Sequence, residues 1–288
     1  MIDLMPLDAW SAALWDIVVT LAFLLVGLLF YSGLADLAIF EDRGRVRSQA
    51  FEPLDLFIAG TLACLFALLV LGGWRAANAP AASAAALPTG GVMIVQVLAN
   101  TTVFLAVMFG IIAGLRWRGI DWLEAFGFKQ LNPIWIAGHA LPLLVCALPL
   151  IGAALSISQF VLEGGGGGDA SRQEIVRFLA ESPSDLARLV VTLSAVVLAP
   201  LQEEFIFRGY LYGVVRRYAG VPAGILINAA LFAGIHLHAP SFAGLFVLAV
   251  CLTLAYEWTG SLLVPMAVHG LFNLLSILTL FMGGGGGG

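Results

Sequence analysis

Between Ile17 and Phe40 the chain carries one formal charge, Asp36. The hydrocarbon core of a bilayer is about 30 Å thick, and an α-helix crosses it with roughly 20 apolar residues. No water is there to satisfy backbone N–H and C=O groups, so such a run must fold as a helix. Comparable runs recur at Leu54–Gly73, Val92–Leu115, Pro133–Leu155, Leu186–Tyr212, Val221–His238, Phe242–Trp258 and Leu262–Met282. The pattern predicts an all-α fold, a polytopic transmembrane helix bundle of about eight spans. Composition agrees: 61% of residues are hydrophobic and 11% charged, and mean hydropathy is +1.00, whereas soluble chains carry about 25% charged residues. The expected solvent and partner is therefore the membrane lipid bilayer. A net charge of −5 supplies no basic footprint, so no nucleic acid partner is expected.

The organisation divides into four parts. Residues 1–162 hold spans one to four, behind an acidic start whose Trp10 and Trp15 suit an interface belt. The first run lacks a basic n-region and is followed by further spans, so it reads as an anchor rather than a cleaved signal. Residues 163–185 form a polar, Gly-rich linker with a short helical pattern at Ile175, Phe178 and Leu179. Residues 186–282 hold spans five to eight with Glu203, Glu204, Arg208, His236, His269 and Asn273, and 283–288 are a glycine tail. The runs Gly164 to Gly168 and Gly283 to Gly288 are low in complexity and read as flexible linker. Trp122 to Lys129 is short and amphipathic and is expected on the membrane surface. Cys64, Cys146 and Cys251 stand alone in apolar runs and read as small buried hydrophobes.

Basic residues set the expected orientation. Loops after spans one, three and five carry Arg43, Arg45, Arg47, Arg116, Arg118, Lys129, Arg216 and Arg217; the other side carries Arg75, Arg172 and Arg177. The positive-inside bias puts the first set in the cytoplasm. A multi-pass protein of a bacterial plasma membrane is expected, with its site toward the cytoplasm.

Against this apolar background, Gln202-Glu203-Glu204-Phe205-Ile206-Phe207-Arg208-Gly209 stands out. Ionisable groups at membrane depth cost about 2.5–3.5 kcal/mol each on insertion scales. Glu204 and Arg208 are i and i+4 on a helix and can pair. Glu203 points roughly 100° away and is left without a local partner. Span six carries Asn228, Phe232 and His236 at i+4 steps, and span eight carries His269 and Asn273 at the same spacing. A carboxylate beside a histidine can deprotonate a water, and a second histidine with an amide can stabilise an oxyanion. Alternatively Glu203, His236 and His269 could bind a divalent metal such as zinc, which would itself acidify the water. The residues alone leave both schemes open, so the cofactor is either none or one divalent ion.

Each feature has a plainer reading. Adjacent glutamates often mark a solvated helix face, and His269 with Asn273 could serve interhelical hydrogen bonding alone. His139 and His238 are read as structural, Phe232 as packing, and Glu257 with Trp258 as an interface anchor. Two non-proteolytic functions fit the same polar cluster: a membrane binding or immunity-type protein, and a proton-coupled transporter. Corresponding broken half-helices, which many transporters have, are lacking.

The three clusters together resemble a known family. Glu203-Glu204-Phe205-Ile206-Phe207-Arg208-Gly209 is similar to its E-E-x-x-x-R motif, Phe232-Ala233-Gly234-Ile235-His236 to its F-x-x-x-H motif, and His269-Gly270-Leu271-Phe272-Asn273 to its H-x-x-x-N motif. This is the CAAX protease and bacteriocin-processing family, also called the Abi family, of intramembrane endopeptidases. The resemblance covers about Leu186 to Phe281. It implies hydrolysis of peptide bonds in membrane-associated or lipid-anchored proteins. It assigns Glu203 and His236 to water activation, Glu204 and Arg208 to a helix-fixing pair, and His269 and Asn273 to the oxyanion. Members are commonly labelled metalloproteases, and a glutamate–water mechanism without metal has been argued for relatives. Asn228 and Trp258 depart from residues common at their positions.

Overall fold

The computed structural model describes residues 7–41, 44–77, 89–163 and 174–283. The expected Gly164 to Gly168 linker, Arg43, Arg172 and tail residues 284–288 lie outside the described residues. Every described regular element is helical. In order they are α1 (Leu7–Ile39), α2 (Pro53–Ala77), α3 (Gly90–Trp117), the single turn α4 (Trp122–Ala125), α5 (Pro133–Glu163) and α6 (Glu174–Glu181). Then comes a long helix in five pieces: α7 (Asp185–Leu193), a first π segment (Ser194–Leu198), α8 (Ala199–Glu204), a second π segment (Phe205–Tyr212) and α9 (Gly213–Ile235). Two further helices, α10 (Ala239–Thr259) and α11 (Leu263–Gly283), complete the bundle.

Seven helices are long and apolar enough to cross a membrane, and one of them is the 51-residue stretch Asp185–Ile235. That stretch is two spans in one. Gly220 adopts φ +82° and ψ 172° and breaks the helix inside α9. Only glycine takes this conformation without strain, and Pro222 follows, able to start the next helix but not to continue the last. The chain therefore turns back at Gly220, and eight crossings result. The second crossing, Val221 to Ile235, has only 15 residues, about 22 Å of helix. The chain is an integral, multi-pass membrane protein. Its outer faces show it: Leu21, Phe23, Leu25, Leu28 and Leu29 of α1 are each more than half exposed, which in water would be untenable.

The bundle core lies around α10, which packs against α5, α9, α1 and α11. Its buried face holds Leu248, Leu252, Ala255 and Tyr256. A smaller cluster joins Met93 of α3, Phe178 and Leu179 of α6, Val191 of α7 and Ile277 of α11. The short helix expected between spans four and five is thus α6, and its apolar side plugs the bundle.

Three expectations need correction. The fifth span does not stop at Tyr212, because Arg216 and Arg217 are helical rather than in a loop. Arg216 pairs with buried Glu257 at 2.5 Å and donates to Ser48, and Arg217 bonds Gln49. With both charges partnered, the helix continues to the break at Gly220 and the motif lies midway along it. Secondly, Glu257 is not an interface anchor. It is 1% exposed and also accepts from Tyr212 Oη at 2.5 Å, so it joins α10 to α9 and the second π segment. Thirdly, Trp122 to Lys129 is not merely a surface strip. Asp121 caps the turn by accepting from the N–H groups of Leu123 and Glu124, and Phe126, 1% exposed, meets Phe205 edge-on at 4.9 Å. The connection after span one behaves similarly: Val46, Ser48 and Phe51 are buried, and Phe51 closes on Tyr210 and Phe126.

Candidate active site

The local chemistry of the long helix explains how it presents its acids. Pro200 has no N–H, so the carbonyl of Val196 loses its i+4 donor, and the ring crowds that carbonyl. The helix widens there: the N–H of Ala199 reaches back five residues to Ser194 O. Such π bulges free carbonyls for outside partners. Two contacts with α11 use them. Asn273 Nδ2 donates to Ala195 O at 2.7 Å. Gly270 packs so near Val196 that a Cβ on it would stand 2.6 Å from the Val196 carbonyl oxygen. These contacts fix α11, and with it His269, against the Glu203–Glu204 turn.

The two glutamates then divide. Glu204 and Arg208 are both wholly buried, and Arg208 Nη1 donates to Glu204 Oε1 at 2.9 Å. The same oxygen receives His269 Nδ1 at 2.9 Å. Arg208 Nη2 reaches Ala249 O of α10 at 3.4 Å, and its guanidinium lies 4.3 Å from the centroid of Phe232. A buried guanidinium against an aromatic face gains a cation–π attraction, so Phe232 does more than fill space. Glu203 has a 16% exposed side chain, and its Oε2 lies 3.9 Å from His269 Nε2. That oxygen has no hydrogen-bond partner among the described residues. His269 therefore stands between the acids, Nδ1 committed to Glu204 and Nε2 facing Glu203.

His236 and His269 both touch the Phe232 ring, at 4.9 and 5.6 Å between centroids. His236 Nδ1 bonds the Phe232 carbonyl at 2.7 Å. A carbonyl only accepts, so Nδ1 carries the proton and Nε2 is left as an acceptor. Glu203 and His236 are not hydrogen-bonded to each other; the histidine recorded beside Glu203 is His269. Asn228 is buried and donates to Thr253 Oγ1 at 3.5 Å, and Thr253 donates to Ala249 O at 2.9 Å. The carbonyl that holds Arg208 is thus shared. Phe232 as the seat of Arg208 and Ala195 as the acceptor for Asn273 escaped sequence reasoning. Pro200 was the visible signal for the second.

His139 is held by Trp135 O at 2.8 Å and stacks near Trp135 and Trp258, away from the acids. His238 caps α10, its ring accepting from the N–H of Ser241. Among the described residues no three His, Cys, Asp or Glu side chains gather to hold a metal ion. Glu203, His236 and His269 are not gathered into such a group; both histidines commit Nδ1 and leave Nε2 as the atom that a water or a metal ion would use.

The fold and site define a membrane-embedded helix bundle with an acid–imidazole centre. Residues 185–275 match the family described as Rce1-like, type II CAAX prenyl endopeptidase Rce1-like. The match covers about a third of the chain and supports membership of the CAAX protease and bacteriocin-processing family that the motifs resemble. No curated protein and no solved structure matches the chain.

Proposed function

We propose that the chain is an intramembrane endopeptidase in which Glu203 is the general base. The observation that carries this is the unequal surroundings of the two acids. Glu204 is wholly buried, with one oxygen spent on both Arg208 and His269, whereas Glu203 has a 16% exposed side chain and no arginine beside it, only His269 Nε2 at 3.9 Å among the described residues. In the scheme, Glu203 and the Nε2 acceptor of His236 hold a water. Its oxygen attacks the peptide carbonyl carbon while its proton passes to Glu203. His269 Nε2, when protonated, and the second N–H of Asn273 donate to the resulting oxyanion. Collapse breaks the C–N bond, Glu203 returns the proton to the leaving amine, and an acid and an amine result. No step passes through a metal. The substrate class is a membrane-associated peptide or protein, with a lipid anchor near the scissile bond as one form. The positive-inside bias of the basic loops supports a site that opens toward the cytoplasm, in what we take to be a bacterial plasma membrane.

Glu203→Gln should lower cleavage of a membrane-anchored reporter peptide by roughly 10²–10⁴-fold with unfolding temperature unchanged. Full turnover in that variant would remove Glu203 as base. The same assay with a chelator should show an unchanged rate; loss restored by zinc would replace the metal-free scheme.

A further inference from the structure

A polar cavity of about 470 Å³ lies where the connections between spans meet, and Glu203 is not part of its lining. Arg45, Arg47, Lys129 and Trp135 line it, with Gly260 and Ser261 beneath. Its position is interfacial. Trp135 is two residues inside the span that begins at Pro133, and Thr259, also lining the cavity, closes another span. Beside it Leu131 and Ile134 are 72% and 82% exposed, an apolar shoulder directed outward where acyl chains lie.

The charges do not balance inside the cluster. Lys129 is bound to Asp121 at 2.9 Å and Glu124 at 2.8 Å, and Arg47 to Glu124 at 2.7 Å. These salt bridges hold Glu124 and Lys129 in place, and they account for a shift of Asp121 and Glu124 below the usual carboxylate range. The Arg45 side chain has no ion pair or hydrogen bond with a described residue, yet it is not on a loose loop. Its N–H donates to Glu257 O at 2.8 Å, and its Cβ would stand 3.0 Å from a Cβ on Gly260. Among the described residues, Arg45, Arg47 and Lys129 against Asp121 and Glu124 leave one positive charge unmatched, on a fixed stem, at the mouth of a cavity.

We propose that this cavity binds the headgroup phosphate of an anionic phospholipid. One phosphodiester carries the single negative charge the cluster lacks. The guanidinium of Arg45 suits two phosphate oxygens at once, Trp135 suits the boundary between headgroup and chain, and Leu131 with Ile134 receives the acyl region. A basic pocket between spans at the interface is a recognised form of headgroup site. Free phosphate shares the chemistry but makes no use of the apolar shoulder.

The test is native mass spectrometry of the purified full chain in detergent, with added dioleoyl-phosphatidylglycerol or dioleoyl-phosphatidylcholine. The chain should retain phosphatidylglycerol about fivefold better, the scale of one basic residue near an anionic surface. Arg45→Glu and the milder Arg45→Gln should both abolish the preference, whereas Arg217→Glu, elsewhere on the same face, should keep it. Equal retention of both lipids, or an undiminished preference in the Arg45 variants, overturns the proposal. Displacement of phosphatidylglycerol by millimolar inorganic phosphate also overturns it, by assigning the site to the free ion. Peptide cleavage is not read in this experiment, so its outcome is independent of the proteolytic reading.

Discussion

Changing Glu204 to alanine strips one acceptor from two donors. Arg208 would keep a full charge in a site of zero exposure, and His269 would lose the group that fixes its ring. Breaking a buried pair by removing one partner costs about 3–5 kcal/mol. Thermal unfolding in detergent should therefore fall sharply for Glu204→Ala and stay near wild type for Glu203→Ala, whose carboxylate anchors nothing. A stable but inactive Glu204→Ala protein would exchange the roles of the two acids. The i,i+4 spacing made the Glu204–Arg208 pair legible from sequence. The third member, His269, was not legible, because it arrives from a helix 65 residues away and only packing selects its partner. For the same reason the sequence could not tell that Glu203 would lie beside His269 rather than in contact with His236.

At the level of elements, the joint between the first π segment and α11 sets the geometry of the site. Gly270 contributes no chemistry, but any side chain there meets the Val196 carbonyl. Gly270→Ala should push α11 outward and carry His269 away from Glu204. Displacements of about 1 Å at a catalytic group can cost 10²-fold in rate, so kcat/KM should fall by roughly that factor with helicity retained by circular dichroism. Wild-type activity in Gly270→Ala would mean the two helices are not held by this contact. The spans themselves were readable from hydropathy, because bilayer thickness leaves few alternatives. The connections were not. Aromatic residues interspersed with charge give the same signal whether they lie on a membrane or plug a bundle, and Phe126 and Phe51 do the second. Arg216 read as loop because its counter-charge, Glu257, comes from another helix.

Across the whole molecule, Glu257 links the connection after span one to the catalytic spans. It takes Tyr212 and Arg216 on its carboxylate and Arg45 on its backbone carbonyl. Glu257→Ala would leave Arg216 facing Ser48 alone and should destabilise the bundle by about 3–5 kcal/mol, although it lies outside the proposed chemistry. Unfolding followed by intrinsic fluorescence measures this, and an unchanged midpoint would show the linkage to be incidental. The short crossing from Val221 to Ile235 has a different consequence. At about 22 Å it falls short of a hydrocarbon layer of about 30 Å, and His236 stands just beyond its far end. Such a mismatch is met by local bilayer thinning, which shortens the path from the face carrying the basic loops to His236 inside the bundle. Reconstituted activity should then rise as acyl chains shorten, because a thinner bilayer has less distance to yield before water and a scissile bond meet.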